Sequence, residues 1–281
     1  MKLYAISDLH LANRSNFDAL TALAPHPDDW IILAGDTGEL EDHLRMALIV
    51  LKSRFKKIIW VPGNHDLWSL PNQPYSRYLK GETLYRRLIA VCHEYGALTP
   101  EDPYPVWDDG GKMYRIVPMF LLYDYSFRPA DISQDRAVEW AAESGVLCTD
   151  EELLHPSPYA SRIAWCQERI RFTEERLKAA PPDIPLILVN HFPLRREMAD
   201  LRRFPRFSVW CGTTRTEDWH LRFPVSVVVY GHMHMRGTRY VDGVRFEEVS
   251  LGYPRDWNYQ RGMDYYLREI LPGPSALPAF A

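Results

Sequence analysis

Apolar and polar positions repeat one theme over the first 66 residues: a short apolar run, a polar turn, then a helical stretch. Residues 3–6, 30–34 and 58–61 are apolar almost throughout. Between them, residues 16–23 read as a helix closed by Pro25 and Pro27, and residues 41–54 place Leu44, Leu48 and Leu51 at helical spacing. Strands without polar alternation, separated by helices, predict parallel strands buried on both faces. Further strands are predicted over 114–122, 186–189 and 225–230. A hairpin is predicted from 238–241 and 244–249, which flank Asp242-Gly243. Helices are predicted over 76–95 and over 161–180, the second started by Ser161 and stopped by Pro181-Pro182. Residues 123–160 show no period except a capping-box pattern at Thr149-x-x-Glu152, which reads as a mobile loop or lid. The Pro- and Ala-rich residues 271–281 are expected to fray, leaving one domain over 1–270 in an α/β class.

The apolar runs end in chemistry. Asp8 and His10 follow the first, Asp36 the second, and Asn64 and His65 the third. In parallel α/β sheets ligands bind outside the carboxyl ends of the strands, so these residues share one rim. His191, His232 and His234 follow later runs in the same way, which places five of the ten histidines at strand ends. Imidazole with carboxylate suits Zn, Fe or Mn, and the lack of cysteine among these positions argues against a structural zinc site.

Asp8-x-His10, Gly35-Asp36, Gly63-Asn64-His65-Asp66, Asn190-His191 and Gly231-His232-x-His234 occur in an order that resembles the calcineurin-like metallophosphoesterases. The resemblance implies a four-layer α/β/β/α sandwich and two metal ions bridged by Asp36. Asp8, His10 and His234 would complete one ion, and Asn64, His191 and His232 the other. It implies a hydrolase of phosphate esters, in which a hydroxide held on two metals attacks phosphorus and His65 protonates the leaving group. A metal-bound water can have its pKa lowered from about 15.7 to about 7. Glu39 stands three residues after Asp36, where some members carry a carboxylate that orients the histidine; Asp66 is expected to hold the loop together. Two other readings share these residues: a non-catalytic binding or scaffold module on the same fold, and a dinuclear hydrolase of a non-phosphate bond such as an amide.

The substrate side is less sharply written. Arg128 suits a phosphate or carboxylate, and Tyr123 and Trp68 either stack on a ring or cover the core. Arg195-Arg196, Arg202-Arg203 and Arg206 form a dense basic cluster able to draw an anion toward the metals. Asn64 is a candidate for substrate contact as well as for metal. With 33 Lys+Arg against 37 Asp+Glu the net charge is −4, which favours a small phosphorylated substrate over a polynucleotide. A hydrophobic share of 46% excludes a disordered chain. No run approaches the roughly 20 apolar residues of a membrane span. The four cysteines form no close pair and read as thiols, so a soluble cytoplasmic protein is expected. Monoester and diester are not distinguished by the sequence, nor is the oligomeric state.

Overall fold

The computed structural model describes residues 1–73 and 78–273. Each apolar run forms a strand whose alternate residues face opposite ways. The first three are β1 (Leu3–Ile6), β2 (His26–Ala34) and β3 (Phe55–Val61). In β2, Trp30, Ile32 and Ala34 enter one apolar cluster while Ile31 and Leu33 enter another, so both faces are buried. The remaining strands are β4 (Val106–Asp108), β5 (Met113–Pro118), β6 (Leu186–Val189), β7 (Val225–Tyr230), β8 (Gly237–Val241), β9 (Val244–Glu248) and β10 (Arg268–Leu271).

They build two mixed sheets, ordered β10-β1-β2-β3 and β4-β5-β6-β7-β9-β8. The strands β1, β2 and β3 run parallel, as do β5, β6, β7 and β9, while β4, β8 and β10 add antiparallel edges. The sheets pack face to face through Ala5, Ile32 and Val61 from one and Ile187, Val227 and Val229 from the other. Helices α1 (Arg14–Thr21), α2 (Glu41–Arg54) and α3 (Glu82–Glu94) cover the outer face of the first sheet. After two short helices, α4 (Ala137–Ala142) and α5 (Asp150–Leu153), helices α6 (Arg162–Ala179) and α7 (Trp219–Arg222) cover the second. The result is the α/β/β/α sandwich that the resemblance implies. Among the described residues no helix is long and apolar enough to cross a membrane, and all four cysteines are free.

The structure departs from the sequence expectations in five places. The strand expected over 114–122 stops at Pro118, because the Leu121 amide donates to the Asn190 side chain at 3.0 Å instead of to a ladder partner. The helix expected over 76–95 begins at Glu82, after Gly81 at φ 58°; residues 76 and 77 lie outside the described residues. Thr149 forms no capping box, since its backbone is already helical and its side chain makes no cap bond. Residues 123–160 are not a loose lid: they carry α4 and α5, and Tyr123, Phe127, Asp150 and Leu154 are fully buried. Leu271 belongs to β10, paired with Leu3, and not to a fraying tail; the rest of that segment from 274 lies outside the described residues.

Candidate metal centre

The carboxyl ends of β1, β2, β3, β6 and β7 converge on one rim, and there the backbone leaves its ordinary range. Asp8 (φ 54°), His10 (φ 43°), Asp36 (φ 53°), His232 (φ 70°) and His234 (φ 51°) are all left-handed. Such a conformation costs an L-residue roughly 1–2 kcal/mol, so five of them in one place mark a site whose surroundings impose them.

Two groups of donors result. In the first, Asp8, His10 and His234 bring one ligand atom each within 4.8 Å of the others. Asp8 Oδ1 lies 3.1 Å from His234 Nε2, while its Oδ2 accepts from the hydroxyls of Ser7 at 2.5 Å and Ser250 at 2.8 Å. One oxygen is thus tied down and the other is left facing the imidazoles. Asp256 sits 3.1 Å from His234 Nδ1 and fixes that ring; Tyr253 stacks on His10 at 4.3 Å.

In the second group, Asp36, His191 and His232 meet the same limit, and a third set links Asp36 with His10 and His65. Asp36 therefore reaches both sides, as a bridging carboxylate must. His191 Nδ1 lies 2.9 Å from the Ala34 carbonyl, which can only accept, so Nδ1 carries the proton. Its Nε2 is left 3.4 Å from Asp36 Oδ2 and 3.2 Å from Asn64 Oδ1. The Nε2 of His232 is buried without a hydrogen-bond partner. An orphaned imidazole nitrogen grouped with the Asp36 carboxylate and the His191 ring is what a divalent ion completes.

The charges point the same way. Burial disfavours a charged His191, yet Asp36 outweighs it and pushes the group up to about 10. Burial is likewise overcome at His234 by Asp8, to about 9. His10 and His232, for which burial prevails, fall to about 4 and about 3. Asp8 and Asp36 stay well below the usual carboxylate range despite their burial, held there by the histidines. The carboxylates recruit positive charge from whatever stands beside them.

Gly63 makes the close approach possible. A Cβ at this position would overlap Asp36 Oδ1 and its backbone nitrogen. Gly63→Ala is expected to displace Asp36 and to lower stability by about 1–3 kcal/mol, as overpacking does. Thermal unfolding with and without Mn²⁺ checks this; an unchanged midpoint with unchanged metal content would show that the loop relaxes freely.

His65 leans over the centre. Its Nδ1 lies 3.2 Å from Glu39 Oε1, and its Nε2 lies 3.9 Å from Asp36 Oδ2. Burial works against its charge, but Asp36 and Glu39 raise its affinity for a proton above the ordinary imidazole value. The indole of Trp68 stacks on it at 3.7 Å. Asp66 accepts from the backbone amides of Asp36, Gly63 and Thr37 at 2.8, 2.8 and 3.1 Å, so it ties the β2 and β3 turns together.

These groups form the floor of a cavity of about 790 Å³. Trp68, Leu147, Phe204, Phe207 and Met235 give it an apolar wall, and Arg202, Arg203, Arg239 and Arg255 also line it. Among the described residues Arg202 and Arg203 have no ion pair or hydrogen bond, so their guanidinium groups are available to an anion. Three expected substrate contacts do not reach this space. The Arg128 guanidinium binds the carbonyls of Ile132 and Tyr125 at 2.6 and 3.1 Å and so clamps its own loop. Tyr123 is buried with its hydroxyl on Asp150 at 3.1 Å. Arg195 pairs with Glu197 at 2.8 Å and faces His220, away from the cavity. Of the basic cluster, only Arg202 and Arg203 line the cavity; Arg206 pairs with Glu143. Asp150, Asp256 and Tyr253 were not singled out by the sequence. None belongs to a motif, and the site residues they touch lie 19 to 243 positions away along the chain.

The family profile for calcineurin-like phosphoesterase matches residues 1–236. The chain is 48% identical over 280 residues to the [acyl-carrier-protein] phosphodiesterase PptH of Mycobacterium tuberculosis, covering 99% of this chain and 86% of that protein. The crystal structure of that organism's phosphopantetheinyl hydrolase PptH superposes with a TM-score of 0.93, covering 99% of this chain and 98% of the other. A protein of Acanthamoeba polyphaga mimivirus, L509, is 21% identical over 270 residues, covering 90% of this chain and 91% of its own. The chain belongs to the calcineurin-like phosphoesterase family and is a metal-dependent hydrolase of phosphate esters.

Proposed function

We propose that this enzyme is a phosphodiesterase that removes the phosphopantetheinyl group from acyl carrier protein. The observation that carries this reading is the near-full-length likeness to a protein of that activity, at 48% identity and a TM-score of 0.93. The cavity agrees with it: an apolar wall beside the donor cluster suits a slender arm carrying methyl and methylene groups, and Arg202 and Arg203 suit an anionic carrier.

The donor set is all oxygen and nitrogen, which suits Mn, Fe or Zn. Asp8, His10, His234 and the shared Asp36 would hold one ion; Asp36, Asn64, His191 and His232 would hold the other. When bound, such a pair would polarise the phosphoryl oxygens and acidify water. The residues of the chain do the rest. Asp36 aligns both halves of the site. A water oxygen bonds to phosphorus as the P–O bond to the carrier serine breaks, and His65, held by Glu39 and backed by Trp68, gives its proton to the departing seryl oxygen. The products are 4′-phosphopantetheine and an unmodified serine. Such a substrate and the four free thiols fit a cytoplasmic enzyme.

Incubation of purified holo-acyl carrier protein with the enzyme and Mn²⁺ is expected to give the apo-protein and free 4′-phosphopantetheine by intact-mass analysis. Turnover of bis-p-nitrophenyl phosphate without any change in the carrier protein would reject this substrate and keep the phosphodiesterase. Formation of phosphoserine and pantetheine would reverse the side of the phosphorus that is cleaved.

A further inference from the structure

Asp150 is the one fully buried carboxylate of the 123–160 segment, and among the described residues no Lys, Arg or His forms an ion pair with it. Its three donors are neutral. Oδ1 accepts from Asn64 Nδ2 at 3.0 Å and from the Trp68 indole at 2.7 Å, and Oδ2 accepts from the Tyr123 hydroxyl at 3.1 Å. Burying a carboxylate among neutral groups is costly, so a site that keeps one there is using its geometry.

We propose that Asp150 is a positioning residue that turns the Asn64 amide oxygen toward the metal group and holds the Trp68 ring against His65. Asp150 Oδ1 already accepts from the Trp68 indole and so presents an acceptor to Asn64, whereas an amide has a donating and an accepting end. With Asp150 on one side, the NH₂ of Asn64 must face it and the oxygen must face His191, where it is found at 3.2 Å from Nε2. The flipped amide would set two oxygens against each other and offer an NH₂ to a cation. The same Oδ1 anchors the indole whose ring lies 3.7 Å from that of His65. One oxygen of the insertion thus fixes a metal donor and the backing of the acid, and α5 delivers it with Asp150 as its first residue.

This inference rests on the ligand assignment above, and the test separates the two. Mn²⁺ affinity is read by competition with a chelating dye, and unfolding of the metal-free chain is recorded beside it. The parent is expected to bind two ions; fewer overturns the assignment and the inference together. Asp150→Ala is expected to weaken one ion about 10- to 100-fold, the usual effect of removing a partner that orients a ligand, and to leave the other within about threefold. In an Asn64→Ala background the same change is expected to alter affinity by less than about twofold, because Asp150 acts through Asn64. Asp150→Asn keeps an oxygen for Asn64 and Trp68 and can donate to the Tyr123 hydroxyl, so it is expected to restore the weakened ion to near the parent value. Equal loss of both ions, an undiminished effect in the Asn64→Ala background, or failure of Asp150→Asn to rescue would reduce Asp150 to a packing residue. If Asp150→Ala does not fold, the Asp150→Asn titration decides alone: two ions near parent affinity uphold the proposal, and loss of one overturns it.

Discussion

Asp36→Ala is expected to empty both halves of the centre and to lower phosphodiester turnover by about 10³-fold or more. Asp36 is the residue shared by the donor groups on its two sides, so its removal leaves each of them one oxygen short. The loss corresponds to several kcal/mol of transition-state stabilisation at about 1.4 kcal/mol per factor of ten. There is a structural cost too, because the Asp36 side chain also accepts from the backbone amide of His65 at 2.9 Å. Asp36→Asn separates the two: it keeps an oxygen for that amide but removes the charge that faces His191. Elemental analysis of the purified variants is the check. About two metals per chain in Asp36→Ala would refute the bridging role, whatever its activity.

His65→Ala is expected to bind both ions yet lose about 10²- to 10⁴-fold in turnover of alkyl diesters, the ordinary contribution of a general acid. The loss should be much smaller for p-nitrophenyl esters, since p-nitrophenolate departs without a proton. Glu39→Gln should fall between parent and His65→Ala, because it keeps a hydrogen bond to Nδ1 at 3.2 Å but removes the charge that helps keep the ring protonated. The measurement is kcat against leaving-group acidity for all three proteins. A slope for His65→Ala equal to that of the parent would exclude proton donation. A loss of metal in His65→Ala would instead make His65 a ligand, as its grouping with His10 and Asp36 permits.

The donor cluster was legible because it is local to each strand end. Asp8, Asp36, Asn64, His191, His232 and His234 each lie within a few residues of an apolar run, and parallel packing carries all those ends to one rim. The alternation of Ile31 and Leu33 against Trp30, Ile32 and Ala34 could not be read from a run that is apolar throughout; only the presence of a second sheet gives each face its own partner. Strand β10 carries no sequence signature because Arg-Glu-Ile-Leu is four residues long and half charged, and it is held by pairing with β1 at the far end of the chain.

By itself, then, the sequence determined the order of buried strands and helices, the residues at their ends and, through these, a dinuclear phosphoesterase chemistry. Tertiary structure decided which side chains support that chemistry. Arg128, Arg195 and Tyr123 have the right character for a substrate, but their donors are consumed by Ile132, Glu197 and Asp150. Asp150 and Asp256 carry no motif, yet they aim Asn64 and His234. The reason is one of range: hydrophobic periodicity and turn chemistry act over a few residues, whereas a hydrogen bond is satisfied by whichever partner folding brings within about 3 Å, however distant along the chain.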